Sequence, residues 1–443
     1  MRAALGRTFS YLSFASIGGI RGVSIWLSLL FVFSVPWENA IQIGHIGRAS
    51  KALGYLTVIV WGLGVLANKR LRKPDSLHQA YLLFLIWNGL TLYWSLDPAA
   101  TVDAFVTYLE TFGLLLLFWD LYDREVLVKA ALQAYVIGAF VAGGSIIVNY
   151  LTAPPARFPE HERISALGYK TDGIALVVAV AAPAAWYLAA RPGARERPAS
   201  ARALNYAYIP VAVLAVAMTG TRGATIASIP TALFIIWSLR SATLGRRVAA
   251  LTAAAIAGVA LVQFAPAGQL DRIATASNLG EQTPQGALGG RVEIWRDSAQ
   301  VFVEHPIAGV GTDAHRAAVA PRLEQRSAYK KAEKEAHNTY VSVLTETGVV
   351  GFLLFGFIIV SVLRCLRQRS DWERWYWSVQ MSVLALGAMT LSLEDSKSLW
   401  LMTALTVASA AAARTQEARV PDVPRGARRP SAALRPSSML RFD

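Results

Sequence analysis

Cysteine occurs once in these 443 residues, at Cys365, so no internal disulfide braces the chain. Charge is also scarce. Asp, Glu, Lys and Arg make up 16% of the residues, whereas soluble domains run near a quarter charged, which excludes an ordinary water-soluble domain. Histidine is limited to six positions, 45, 78, 161, 305, 315 and 337, and no pair has metal-ligand spacing. There is no phosphate-binding P-loop, no GxGxxG after a strand and no GxSxG elbow. These absences argue against nucleotide-driven chemistry, and they make a cofactor-free, metal-independent reaction the simpler expectation.

What is abundant is apolar sequence: 54% hydrophobic residues and a mean hydropathy of +0.39. Segments near the length of a membrane span recur at 21–37, 51–67, 77–95, 101–119, 126–150, 173–190, 204–219, 223–239, 246–265, 338–364, 374–392 and 397–413. The fold class read from them is an all-α polytopic membrane protein with about twelve transmembrane helices. No signal-peptide cleavage pattern follows the first run, so it is expected to be retained. The net charge of +14 sits in short loops and not in a nucleic-acid-binding patch. Clusters at 69–73, 191–202, 240–247 and 364–374 all fall on one side if there are twelve spans, as the positive-inside rule requires.

This topology divides the chain into a cytoplasmic N-terminus (1–20), spans 1–9 (21–266), a long outer loop (267–337), spans 10–12 (338–413) and a disordered cytoplasmic tail (414–443). Pro154 to Asp172 forms a second, smaller outer loop. Inside the long loop, Val292, Trp295, Ala299 and Phe302 recur at helical spacing, with Glu293, Asp297, Gln300 and Glu304 elsewhere on the wheel. An interfacial amphipathic helix is expected there, started by Gly289-Gly290 and stopped by His305-Pro306, with Trp295 at headgroup level. A second polar helix is expected over 322–336.

Few residues in this layout carry chemistry. Arg222, between two apolar runs in Thr219-Gly220-Thr221-Arg222-Gly223, reads either as a snorkelling helix-end arginine or as a donor fork for phosphate. Arg291 follows Gly289-Gly290 at a helix start, where free backbone N–H groups favour an anion; a solvated capping arginine is the plainer alternative. His337 ends the loop. An imidazole near a helix N-terminus and arginines stays neutral and can accept a proton, although an ordinary carbonyl-bonded interfacial histidine fits the same position. Glu346, inside an apolar span, reads as a structural support or an arginine partner. A carboxylate of Glu394-Asp395, with Asp395 carried as a candidate, would orient His337 or pair with an arginine. Asn338, Tyr340 and Trp295 are supporting candidates.

The runs Gly290-Arg291-Val292-Glu293-Ile294-Trp295, His305-Pro306-Ile307-Ala308-Gly309-Val310-Gly311, His337-Asn338-Thr339-Tyr340 and Glu346-Thr347-Gly348 resemble the bacterial O-antigen ligase and polymerase superfamily. The upstream Thr219-Gly220-Thr221-Arg222-Gly223 resembles that family's arginine motif. This resemblance spans about residues 215 to 352 and implies a GT-C-like glycosyltransferase of the bacterial inner membrane with its site facing the periplasm. It implies an undecaprenyl-pyrophosphate-linked glycan as donor and lipid A–core oligosaccharide as acceptor, with no cofactor. Arg222 and Arg291 would hold the diphosphate and His337 would act as base. An O-antigen polymerase or a protein O-oligosaccharyltransferase would use similar motifs. From another class, a lipid-linked glycan transporter fits the span count, but its paired halves are not seen here.

Overall fold

The structure is a computed structural model that describes residues 18–44, 47–152, 163–194, 197–240, 291–325, 335–367 and 369–419, with a few residues between 242 and 250. The expected N-terminal segment 1–20, the ninth span at 246–265 and the helix start at Gly289-Gly290 fall wholly or mainly outside these residues.

Thirteen helices are described, with one two-residue antiparallel ladder pairing Gln42–Ile43 with Gly47–Arg48. In chain order they are α1 (Gly19–Ser34), α2 (Ala49–Asn68), α3 (Ser76–Leu90), α4 (Pro98–Leu121), α5 (Glu125–Thr152), α6 (Thr171–Ala190), α7 (Ala199–Thr219), α8 (Arg222–Leu239), α9 (Arg291–Glu304), α10 (His315–Gln325), α11 (Thr339–Leu366), α12 (Asp371–Ala388) and α13 (Lys397–Arg419). Among the described residues, eight segments are long and apolar enough to cross a membrane: α1 with its 3-10 extension, α2, α4, α5, α6, α7, α8 and α11. The chain is an all-α polytopic membrane protein. Helices α3, α12 and α13 occupy three more of the expected span positions.

Burial follows the logic of a protein dissolved in lipid. Helix α6 is central, and every residue from Val178 to Ala189 is buried among α5, α7, α8 and α12. Its run of alanines lets neighbouring backbones approach closely, which is how helices associate without a hydrophobic driving force. Peripheral α2 does the reverse. It buries Ser50, Gly54 and Thr57 and exposes Leu56, Ile59, Leu63 and Leu66, the arrangement suited to hydrocarbon outside.

Three expectations change. The buried face of α9 is Ile294, Asp297, Ser298 and Val301, not the stripe through Val292, Ala299 and Phe302, because Ile294 and Val301 close a small core with Val310, Ala314, Ala318, Val319 and Leu323. Val292 and Val303 point outward. Both faces of this helix carry apolar residues, and the neighbour α10 selects which one is covered. The second loop helix begins at His315, before the expected 322, and is described to Gln325; residues 326–334 of the expected helix lie outside the described residues, and Glu335 and Ala336 are not helical. Finally, α13 continues to Arg419, past the expected start of the tail at 414; residues 420–443 lie outside the described set.

Candidate active site

The site is assembled on a break in α11. Gly348 adopts φ 65 and ψ −169, so the helix is interrupted between two and three turns below its start at Thr339. Backbone groups exposed by this break are taken by the segment that follows α9. Val310 N–H donates to Thr345 O (3.2 Å), Gly311 N–H to Glu346 O (2.9 Å) and Val349 N–H to Pro306 O (2.9 Å). The two strands of backbone touch at Gly309 and Gly348, where a Cβ on either would overlap the carbonyl of Glu346 or Ile307 respectively. Thr312 fixes the other side: its hydroxyl donates to Asn88 Oδ1 (2.7 Å), and its carbonyl accepts from Thr101 Oγ1 (2.7 Å). The motif His305 to Gly311 is thus a backbone clamp for the loop.

Glu346 takes part in that clamp. Its Oε2 accepts the Asp313 N–H at 2.9 Å, and its Oε1 meets the Ser342 hydroxyl at 2.8 Å. It supports the loop and pairs with no arginine among the described residues.

His337 sits at the end of the clamped loop with φ 49, a left-handed conformation that is uncommon for a side chain of this size. Asn338 then caps α11, its Oδ1 accepting from the N–H groups of Tyr340 (3.0 Å) and Val341 (3.3 Å). Thr339 N–H and Oγ1 both donate to Leu391 O, at 3.1 and 2.9 Å. Trp295 Nε1 donates to Ala336 O at 2.9 Å, which ties α9 to the residue before the imidazole. His337 is therefore held from both sides. Its Nδ1 is enclosed and has no hydrogen-bond partner among the described residues.

The cations gather at the N-terminus of α6. Arg291 Nη2 lies 4.0 Å from Asp172 Oδ2, in the first turn of that helix. One residue earlier, Thr171 O faces Thr221 Oγ1 at 3.4 Å, and Thr221 Oγ1 accepts from Arg163 Nη2 at 3.0 Å. Thr221 caps α8, which Arg222 opens after Gly220 turns the chain with φ 57. Gly223 lies against Thr390 so closely that a Cβ would collide with it, next to the Leu391 that holds Thr339. The turn carrying Arg222, the helix start at Arg291 and the loop end at His337 are thus linked through α6 and the 390–391 turn.

Electrostatics give the imidazole its character. Burial pushes the His337 pKa below its ordinary value, and the Arg291 guanidinium pushes it further down, against smaller opposing effects from Glu335 and Asp172. Burial also lowers Arg291, with Asp172 opposing, but a guanidinium remains charged in any accessible range. Lys170 and Arg316 both pair with Glu335, at 3.0 and 2.9 Å, and hold its carboxyl below the usual range despite burial.

The remaining candidates fall into place less directly. Asp395 and Glu394 make no hydrogen bond to His337 among the described residues, and Glu394 Oε1 instead meets Ser342 at 2.8 Å. Tyr340 Oη donates to Ala385 O at 3.2 Å. Beneath Tyr340 an apolar groove of about 370 Å³ runs between α11, α12 and α13, past Phe355, Ile358 and Val362. Sequence reasoning passed over Arg163, Lys170 and Asp172, although charges in the shorter outer loop were the available signal. It also passed over Glu335.

Replacing Trp295 with Phe keeps an aromatic ring of smaller size and removes the tie to Ala336. The expected result is a folded protein with turnover lowered about tenfold, the kinetic equivalent of one net hydrogen bond felt in the transition state. Steady-state kinetics of the purified variant check this.

Residues 207–356 match the family model described as O-antigen ligase. Over 130 residues the chain is 30% identical to the exopolysaccharide production protein ExoQ of Rhizobium meliloti (strain 1021), and the match covers 28% of this chain and 28% of that protein. The matched family segment runs from α7 through the break in α11, so Arg222, Arg291, His337 and Glu346 all lie within it while Arg163, Asp172 and Asp395 lie outside. The two arginines, the histidine and the glycines of the clamp thus lie in the part of this chain that is similar to the O-antigen ligase family model.

Proposed function

We propose that the chain is a membrane glycosyltransferase that moves a glycan from undecaprenyl pyrophosphate to a sugar hydroxyl of lipid A–core oligosaccharide, acting at the periplasmic face of a bacterial inner membrane. The observation that carries this reading is the linkage of Arg291 and His337 to the Arg222 turn, above an apolar groove. A polyprenyl tail suits the groove, and its diphosphate head suits guanidinium groups that supply charge without a metal. His337 acts as general base on the acceptor hydroxyl. Attack from the face opposite the leaving diphosphate inverts the anomeric centre.

The chain spans 28% of the curated relative it matches, and that relative's role in exopolysaccharide production favours a second reading. In it the acceptor is another lipid-linked glycan, as in a polymerase. Purified protein given the lipid-linked donor and both acceptors tests the two. Product on lipid A–core supports ligation, and lengthened lipid-linked glycan supports polymerisation. No transfer to either acceptor, in detergent without a membrane gradient, would leave transport as the better account.

The pH profile follows from the direction of the histidine shift. The base works only when neutral, and its pKa is lowered, so the acidic limb of kcat/KM is expected below pH 6.5, the ordinary histidine value. Asp172 opposes that shift, so Asp172→Asn moves the limb further toward acid. A limb above 6.5 in the native enzyme would contradict His337 as the base.

A further inference from the structure

A polar cavity of about 220 Å³ lies between the start of α4, the loop before α10, the first turns of α11 and the turn joining α12 to α13. Glu335 and Ala336 form one edge, so it adjoins His337. Its walls carry six carboxylates, Asp103, Asp313, Glu335, Glu346, Glu394 and Asp395, against the basic groups Arg316 and His315. Glu335 is matched by Lys170 and Arg316; the others leave carboxyl groups in excess over basic ones, and burial raises Asp313, Glu394 and Asp395 above their ordinary values.

Polar atoms in this cavity await a partner. Tyr108 lines it while only 3% exposed. Ser392 Oγ and Glu394 Oε2 line it from another wall, and both are enclosed without a partner. Buried polar groups are normally satisfied, so such a set marks a place where something binds. A further feature is fixed by hydrogen-bond arithmetic. Ser342 Oγ lies 2.8 Å from both Glu346 Oε1 and Glu394 Oε1, yet a hydroxyl has one proton to give. Both contacts are hydrogen bonds only when one of the two carboxyls carries a proton and donates in return.

We propose that this cavity is the acceptor subsite and that it takes a sugar ring without anionic substituents, neutral or amino. Resting on the glycosyltransferase reading above, it assigns the two substrates to opposite sides of His337. Hydroxyls of the ring donate to the carboxylates and accept from Tyr108. The volume is below the ~300 Å³ at which drug-sized pockets begin, so the cavity holds one ring and not a stretch of chain. A phosphate or uronate placed among these carboxylates is repelled, whereas the donor diphosphate is drawn to the cationic side at Arg291 and Arg163. The step balances. The acceptor oxygen bonds to the anomeric carbon, its proton passes to His337, and the anomeric carbon–oxygen bond breaks with its electron pair leaving on undecaprenyl diphosphate.

The test uses full-length purified protein, a lipid-linked donor and matched acceptors: an oligosaccharide with a neutral terminal ring, and the same oligosaccharide with that ring oxidised to its uronic acid. Both are supplied as core oligosaccharide and as lipid-linked repeat, so that either acceptor class is covered. The native enzyme is expected to show at least a tenfold lower KM for the neutral acceptor. Tyr108→Phe keeps the buried ring and is expected to raise acceptor KM about tenfold while donor KM holds. Asp103→Lys is expected to narrow or reverse the preference against the uronate. Equal use of both acceptors, or a Tyr108→Phe effect on donor KM alone, overturns the subsite. Native protein that consumes no donor at all overturns the glycosyltransferase reading itself, an outcome distinct from donor hydrolysis without acceptor preference, which counts against the cavity alone.

Discussion

Purified His337→Asn protein is expected to insert and fold as the native chain does while transfer falls by about 10²–10⁴-fold, the usual loss when a general base is removed. Asparagine is the informative choice because position 337 has φ 49, and Asn tolerates the left-handed region better than most side chains. A fold defect is thereby separated from a chemical one. Arg291→Ala is expected to cost roughly 10²–10³-fold, the scale for losing one charge-stabilising donor. Arg291→Lys is expected to recover only part, because a point charge replaces a planar fork. Transfer assays on variants matched by size-exclusion profile read these effects. Native activity in either His337→Asn or Arg291→Ala would remove the proposed mechanism.

The second large effect concerns stability. Gly309→Ala and Gly348→Ala each place a Cβ into the facing backbone, at Glu346 and Ile307 respectively, and both positions have positive φ. Neither obstacle is a side chain that can rotate away. Destabilisation of about 3 kcal/mol or more is expected, from overpacking added to the left-handed strain. It would appear as a lowered unfolding midpoint and poor yield in detergent. The effects of the two changes should not add, because one clamp is lost in both. An additive pair, or a stable Gly309→Ala protein, would show that the loop is not held through this contact.

That clamp explains why some parts of the site were legible in the sequence and others were not. Runs of apolar residues announce membrane helices one by one, since each must satisfy its own backbone in lipid and needs enough length to cross. The helix stop at Glu304 was legible for a similarly local reason, because Pro306 cannot continue the helix. The face that α9 buries was not legible. Its wheel offers apolar residues on both sides, and only α10 and the Val310–Ala314 segment decide that Ile294 and Val301 turn inward. Glu346 stood out as a charge inside a span, but its partner is the backbone N–H of Asp313, which no composition rule reveals.

The sequence alone determined that this is a multi-helix membrane protein, and it marked Arg222, Arg291 and His337 as residues whose chemistry exceeds their surroundings. Local properties sufficed for that: hydropathy over a span, charge in a short loop, a histidine beside a helix start. Tertiary structure alone decided that Asp172 on α6 meets Arg291, that Arg163 reaches Thr221, and that five other elements enclose an acidic cavity beside the histidine. Those contacts join residues scores of positions apart. Their formation depends on how helices pack once α6 is buried, which no window along the chain contains.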